Sequence, residues 1–124
     1  EIQENWKDEP PLILFQRIHL IQVFSNLILN AYQSMEHKGT LKILFEKQES
    51  ECRLAIEDDG KGISEEVAEN LFEAFKTTKK GAQGSGLGLF ITKQILENAG
   101  ASIKLESLQP ARFVVCFPKK IWED

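Results

Sequence analysis

The chain has 124 residues, of which 42% are hydrophobic and 27% charged, and its formal net charge is -4 at pH 7. This length and composition fit one globular domain with a substantial core. The negative charge disfavours a nucleic-acid surface, and the longest apolar runs fall far short of the ~20 residues that cross a bilayer. We therefore expect residues 1–124 to be a single soluble domain without nucleic-acid or membrane contacts. Cys52 and Cys116 lack C-x-x-C spacing, which favours free thiols in a reducing compartment such as the cytoplasm. The abrupt start and the lack of a linker suggest a domain cut from a longer protein.

Hydrophobic periodicity predicts the elements in chain order. A strand in PPLILF precedes a helix from about Arg17 to Glu36, and two alternating runs, TLKILFEKQ and CRLAIED, predict a hairpin. Ser64 can cap a short helix, and a further helix follows at about 87–99. The runs SIKLES and RFVVCFP flank a turn at Pro110 and predict a closing hairpin. Strands and helices that mix without regular alternation favour an α+β two-layer sandwich, with one sheet under about three helices.

The predicted first helix carries a polar stripe beside its apolar one. Asn26 and Asn30 are four residues apart and therefore neighbours on one face, and Gln33 lies on the same stripe. The amide oxygen of Asn30 could bind a hard cation such as Mg²⁺, which takes oxygen ligands and keeps waters when phosphates complete its shell. A solvated polar face explains the same pattern, so both interpretations stay open.

The segment EDDGKGI places a carboxylate at the inner end of a predicted strand. Asp58 shares a face with the apolar residues of that strand, whereas Asp59 points to the other side. A buried carboxylate is costly unless donors meet it, and the amino group of adenine is one such donor. Gly60 and Gly62 would leave room for the ring, although an ordinary turn at the end of the strand also fits.

Three glycines in five positions, Gly84, Gly86 and Gly88, precede the predicted helix at 87–99. The segment GAQGSGLG contains the G-x-x-x-x-G spacing of a P-loop, but Leu87 and Gly88 stand where lysine and serine or threonine would follow, so a P-loop is excluded. The order of the glycines also differs from the dinucleotide motif G-x-G-x-x-G. A glycine loop at a helix N-terminus nevertheless exposes amides and the positive end of the helix dipole, which bind an anion. We expect these amides to wrap a phosphate chain, with a hinge as the alternative.

The stretch LFEAFKTTKKGAQ predicts a mobile lid that is anchored by Phe72 and Phe75. Lys76, Lys79 and Lys80 supply the only concentrated positive charge near the glycine loop, which suits a triphosphate. A merely solvated loop is the alternative.

The order and spacing of these four motifs resemble one family, the catalytic ATP-binding domain of sensor histidine kinases, in the ATPase superfamily shared with DNA gyrase, Hsp90 and MutL. HLIQVFSNLILNAYQSM is similar to its N box, DDGKGI to its first glycine box, LFEAFKTTK to its phenylalanine box and GSGLGL to its second glycine box. The resemblance covers nearly the whole chain and is strongest to the nitrogen-regulator and sporulation-kinase branch. It implies a Bergerat-type fold, with a mixed, mostly antiparallel sheet under about three helices, and an ATP- and Mg²⁺-dependent protein-histidine kinase of two-component signalling.

The resemblance also implies roles for individual residues. Asp58 would accept a hydrogen bond from the adenine amino group, Asn30 would be the metal ligand, and Asn26 would support that site in catalysis. Gln33 stands where many relatives have lysine, which affects contacts to phosphate. The other positions that would contact the nucleotide are Gln33, Gly60, Gly62, Ile63, Thr78, Lys79, Gly84, Ser85, Gly86, Leu87 and Gly88.

One position separates the chemistries within the superfamily. The gyrase, Hsp90 and MutL ATPases resemble each other in a glutamate four residues before the metal-binding asparagine, where it serves as general base for water. Asn26 stands there in this chain. An amide cannot take up a proton at neutral pH, so the chain lacks this hydrolytic base, as a kinase should.

The acceptor of the phosphate must lie elsewhere. The two histidines, His19 and His37, do not lie in the H-E motif of a phosphoacceptor helix. The resemblance therefore implies a separate dimerisation and histidine-phosphotransfer domain of the same parent protein, and a response regulator receiver domain downstream. Two alternatives stay open: an anti-sigma-factor serine kinase, and a non-catalytic nucleotide-sensing module.

Overall fold

The computed structural model describes residues 2–6, 12–13, 17–36, 38–73 and 88–123. None of the helices in these ranges combines the length and apolarity needed to cross a membrane. In chain order the elements are β1 (Ile2–Trp6), β2 (Leu12–Ile13), α1 (Arg17–Ser34), β3 (Leu41–Lys47), β4 (Glu51–Asp58), α2 (Glu65–Glu69), α3 (Gly88–Asn98), β5 (Ser102–Leu108), β6 (Ala111–Pro118), a 3-10 turn (Lys119–Ile121) and β7 (Trp122–Glu123).

Five strands form the main sheet in the order β1-β3-β4-β6-β5. The strands β3, β4, β6 and β5 pair antiparallel, and both predicted hairpins, β3–β4 and β5–β6, are confirmed. The strand β1 lies at the edge and pairs parallel to β3, so the sheet is mixed and mostly antiparallel. The strands β2 and β7 form a separate antiparallel pair. The predicted α+β sandwich is confirmed, although β1 and β7 were not expected.

The core lies between the sheet and the helices. On α1, Val23, Leu27 and Ala31 are buried at a spacing of four residues, as the apolar stripe predicted. The helical spacing of the apolar residues also predicts Ile28 on this stripe, but Ile28 is 38% exposed. It follows Leu27 by one residue, a rotation of 100° that turns it away from the sheet. The other buried apolar residues of this core are Leu41, Phe45, Cys52, Leu54, Ile56, Leu96, Ala101, Ile103, Phe113, Val115 and Phe117.

The helix ends agree with the local chemistry of the sequence. Ser64 caps α2, because its hydroxyl accepts a hydrogen bond from the amide of Val67. The helix α3 ends in a Schellman motif, in which Gly100 has a φ of 87° and the amide of Ala101 bonds the carbonyl of Leu96. The left-handed conformation explains why a glycine stands at this position.

Candidate functional site

Asp58, the last residue of β4, is the central polar group of the candidate site. Its burial on the same face as Leu54 and Ile56 is confirmed, and its side chain is only 3% exposed. The neighbouring Asp59 is exposed, and its carboxylate accepts from the amide of Thr40 at 3.1 Å. The two adjacent carboxylates therefore face different surroundings, and only that of Asp58 is directed into the molecule.

Two donors meet the buried carboxylate from within the chain. The backbone amide of Gly60 donates to Oδ1 of Asp58 at 2.9 Å, and the side chain of Ser34, at the end of α1, also donates to this group. Burial raises the pKa of Asp58 above its ordinary value, and the hydrogen bonds from Gly60 and Ser34 oppose that rise. These two hydrogen bonds thus offset part of the cost of burying the Asp58 carboxylate, whose oxygens can accept further hydrogen bonds.

The first glycine box is packed against the rest of the sheet. A Cβ on Gly60 would lie 2.7 Å from the carbonyl oxygen of Ser34 and 2.9 Å from Oδ1 of Asp58. Gly62 has a φ of 80°, and the amide of Ile63 donates to the carbonyl of Leu108 at 2.8 Å. This loop is therefore fixed between the end of α1 and the turn that joins β5 to β6.

Helix α1 spans the candidate site from one end to the other. Asn26 contacts the start of α3, and Ser34 contacts Asp58. Asn30 lies midway between them, about 6 Å along the helix axis from each, because the helix rises about 1.5 Å per residue. Asn30 and Gln33 are both half-buried. The structure thus places the predicted metal ligand between the buried carboxylate and the end of the second glycine box.

Asn26 makes contacts that the sequence did not predict. Its Nδ2 donates to the carbonyl of Gly88 at 3.3 Å and to Oγ1 of Thr92 at 3.2 Å. Gly88, the first residue of α3, has no other described atom within 4 Å of where a Cβ would stand. Asn26 therefore joins α1 to the first turn of α3, while no described side chain covers the Cβ side of Gly88.

Sequence reasoning missed both Ser34 and Thr92. Ser34 continues the four-residue spacing of Asn26 and Asn30, which was a usable signal. Thr92 is a polar residue on the buried side of α3, together with Leu96. A hydroxyl at a core position needs a partner, so this signal was also present in the sequence.

Part of the predicted site lies outside the described residues, and those assignments stay predictions. The anchoring role of Phe72 is supported, because its ring packs on the core and meets Phe113 edge-to-face at 6.1 Å between centroids. The residues named above that lie outside the described ranges are His37, Phe75, Lys76, Thr78, Lys79, Lys80, Gly84, Ser85, Gly86 and Leu87.

The fold matches solved histidine kinase catalytic domains. The catalytic domain of histidine kinase ThkA, in a nucleotide-free form, superposes with a TM-score of 0.82 at 30% identity, over 96% of this chain and 80% of that one. The architecture is thus that of the solved histidine kinase catalytic domains.

Sequence comparisons agree with the fold. Residues 15–121 match the family model described as histidine kinase-, DNA gyrase B- and HSP90-like ATPase. Sporulation kinase A of Bacillus subtilis is 41% identical over 96% of this chain, and sensor histidine kinase ZraS of Escherichia coli O157:H7 is 34% identical over 92%. The chain spans 20% and 25% of the lengths of these two relatives. The chain belongs to the histidine kinase-, DNA gyrase B- and HSP90-like ATPase family.

Proposed function

We propose that this chain binds ATP with Mg²⁺ and donates the γ-phosphate to a histidine on a separate dimerisation domain, as the catalytic domain of a two-component sensor kinase. The observation that carries the proposal is the carboxylate of Asp58, which is buried at the end of β4 and held by Gly60 and Ser34. Family membership and the relatives named as sensor and sporulation kinases support it.

Asp58 suits recognition of adenine. An ionised carboxylate only accepts hydrogen bonds, so it selects an amino group over a carbonyl at the same position of a base. Adenine carries an amino group there, whereas guanine carries a carbonyl. The lack of a side chain at Gly60 lets its backbone lie close to this carboxylate, since a Cβ there would stand 2.9 Å from Oδ1 of Asp58.

Asn30 suits a magnesium ion that is shared with phosphates. Its amide oxygen is a hard donor, and Mg²⁺ is held in nucleotide sites by few protein ligands together with phosphate oxygens. When bound, the ion would neutralise charge that develops on the transferred phosphoryl group. We assign Asn30 as the protein ligand, and Gln33, Thr78 and Lys79 as the side chains that reach toward the phosphates.

The second glycine box suits the phosphate chain. Its last glycine, Gly88, begins α3, an 11-residue helix whose first amides have no partner within the helix. These amides and the helix dipole favour a negative group at this end. The other phosphate-binding positions that we assign are Gly84, Ser85, Gly86 and Leu87.

Asn26 supports transfer to an acceptor other than water, and the kinase relatives support a histidine as that acceptor. Its Nδ2 hydrogens are directed at Gly88 and Thr92, and its amide has no basicity at neutral pH. The phosphoryl group would pass from the bridging oxygen of ATP to a ring nitrogen of the acceptor histidine, and ADP would leave. His19 is exposed on α1, and we assign the acceptor to another domain of the parent protein, in the cytoplasm, with a response regulator as next acceptor.

A transfer assay tests the proposal. The chain is mixed with radiolabelled ATP, Mg²⁺ and the parent's dimerisation domain, and acid-labile phosphate should appear on that domain. Asn30→Ala should abolish the transfer, while Gln22→Ala, two turns earlier on α1 and exposed, should retain it. Acid-stable phosphate on serine would favour a serine kinase, and rapid hydrolysis by the chain alone would refute the argument from Asn26.

A further inference from the structure

Thr92 is a fully buried polar residue between two helices. It lies in the second turn of α3, its residue exposure is 0%, and its hydroxyl donates to the carbonyl of Gly88 at 2.8 Å. The same oxygen accepts from Nδ2 of Asn26 at 3.2 Å, and Nδ2 also approaches the Gly88 carbonyl at 3.3 Å. Asn26, Thr92 and Gly88 thus form a closed triangle of hydrogen bonds.

The direction of each bond in this triangle is fixed by chemistry. A backbone carbonyl only accepts, so the hydroxyl proton of Thr92 goes to Gly88 and its oxygen lone pairs face Asn26. The amide of Asn26 must then present its NH₂ group to α3, with its oxygen turned the other way. A carboxylate in place of Asn26 would present an acceptor to the Gly88 carbonyl and could not form this contact.

The triangle joins the two motifs that would hold opposite sides of a phosphate chain. Asn26 lies one turn from Asn30, the assigned metal ligand, and Gly88 is the last glycine of the second glycine box. Fixing the Gly88 carbonyl against α1 fixes the direction of the Leu89 amide in the first turn of α3, because this amide and that carbonyl share one rigid peptide plane. The contact therefore ties the start of α3 to the helix that carries Asn30.

We propose that Thr92 is a positioning residue, which aligns the amides at the start of α3 with Asn30 through its hydrogen bonds to Gly88 and Asn26. The inference rests on the proposed function, since the aligned groups matter only for a bound nucleotide. It gives Asn26 a role as hydrogen-bond donor to α3. A glutamate at this position, as in the gyrase, Hsp90 and MutL ATPases, would instead accept a proton from water. A buried hydroxyl that served packing alone would be replaceable by a methyl group.

A matched pair of substitutions separates positioning from packing. Thr92→Val keeps the shape and removes the hydroxyl, whereas Thr92→Ser keeps the hydroxyl and removes the methyl group. A fluorescent ATP analogue is titrated against the 124-residue chain and both variants with Mg²⁺, and their unfolding is followed in urea. We expect Thr92→Val to weaken nucleotide binding about three- to tenfold, the effect of losing one buried hydrogen bond. Thr92→Ser should bind within about twofold of the parent although it unfolds at lower urea, because it loses buried apolar volume.

The outcomes are distinct. The positioning role is overturned if Thr92→Val binds nucleotide within twofold of the parent. It is also overturned if Thr92→Ser loses as much nucleotide affinity as Thr92→Val. If Thr92→Val does not fold, Thr92→Ala is used in its place, because it removes the same hydroxyl. A parent chain that folds but binds no nucleotide overturns the proposed function and this inference with it, whereas a parent that binds leaves the comparison of variants to decide the inference alone.

Discussion

The carboxylate of Asp58 accepts a hydrogen bond of 2.9 Å from the backbone amide of Gly60, two residues further along the chain. This short-range contact folds the first glycine box back onto the end of β4 and brings Gly60 against the last residue of α1, Ser34. A carboxylate, a backbone amide and a hydroxyl from two separate motifs therefore share one buried corner of the molecule. The first predictions concern this corner.

Asp58→Asn should remove most nucleotide affinity and leave the fold intact. The amide can still accept from Gly60 and Ser34, but its NH₂ group opposes the amino group of adenine. Loss of a charge-assisted hydrogen bond costs roughly 1.5 to 3 kcal/mol, which corresponds to more than tenfold in affinity. Titration with a fluorescent ATP analogue measures the effect. Asp59→Asn is the matched control and should bind like the parent, and binding by Asp58→Asn within threefold of the parent would remove the adenine assignment.

The stability of the chain should depend on pH through Asp58. Burial raises the pKa of this carboxyl in the folded chain above its ordinary value of 3.8, so between those two pKa values the folded chain binds more protons than the unfolded chain. The contribution of Asp58 to stability is therefore fully present below the ordinary pKa and is lost as the pH rises through the raised pKa. Asparagine does not titrate.

The free energy of unfolding of Asp58→Asn relative to the parent should accordingly increase with pH across that window. Urea unfolding of both proteins at a series of pH values measures the difference between their free energies of unfolding. The contributions of the other titrating groups are common to both proteins and cancel in this difference. A difference that stays constant, or that falls as the pH rises, would contradict the effect of burial on this carboxyl.

Gly60→Ala should destabilise the fold. The added Cβ would lie 2.7 Å from the backbone oxygen of Ser34, and backbone cannot move aside as a flexible side chain can. Overpacking of this kind costs typically 1–3 kcal/mol. Denaturant unfolding measures the loss. Gly88→Ala is the matched control, because no described atom lies within 4 Å of its Cβ position, and it should unfold at the same urea concentration as the parent or higher.

Gly88→Ala should instead lower nucleotide affinity. Since this substitution meets open space in the described structure, a loss of affinity without a loss of stability would indicate that a ligand approaches the backbone there. Equilibrium titration with the ATP analogue, carried out on the same samples as the unfolding, measures both quantities. Unchanged affinity would show that close approach at Gly88 is not needed for binding.

Local patterns predicted those features that depend on a single element. The period-two alternation of β4 placed Asp58 on the buried face, and the four-residue spacing in α1 placed Asn26 and Asn30 on one side of a helix. The N-cap at Ser64 was also predictable, because a serine hydroxyl and the amide three residues later belong to the same turn. In each case the interacting groups lie within a few residues of one another.

Contacts between distant elements were decided by the tertiary structure. Asn26 was predicted as part of a polar stripe, but its partners Gly88 and Thr92 lie 62 and 66 residues away and become neighbours only when α1 packs on α3. The same holds for β1, whose short sequence carries no clear alternation and which pairs with β3 at the sheet edge. The sequence by itself determined the α+β class, the face of Asp58 and the order of the motifs, because side-chain direction in a strand or helix follows from its period. The tertiary structure alone decided that Ser34 meets Asp58 and that Asn26 binds α3, because packing, and not periodicity, sets which faces touch.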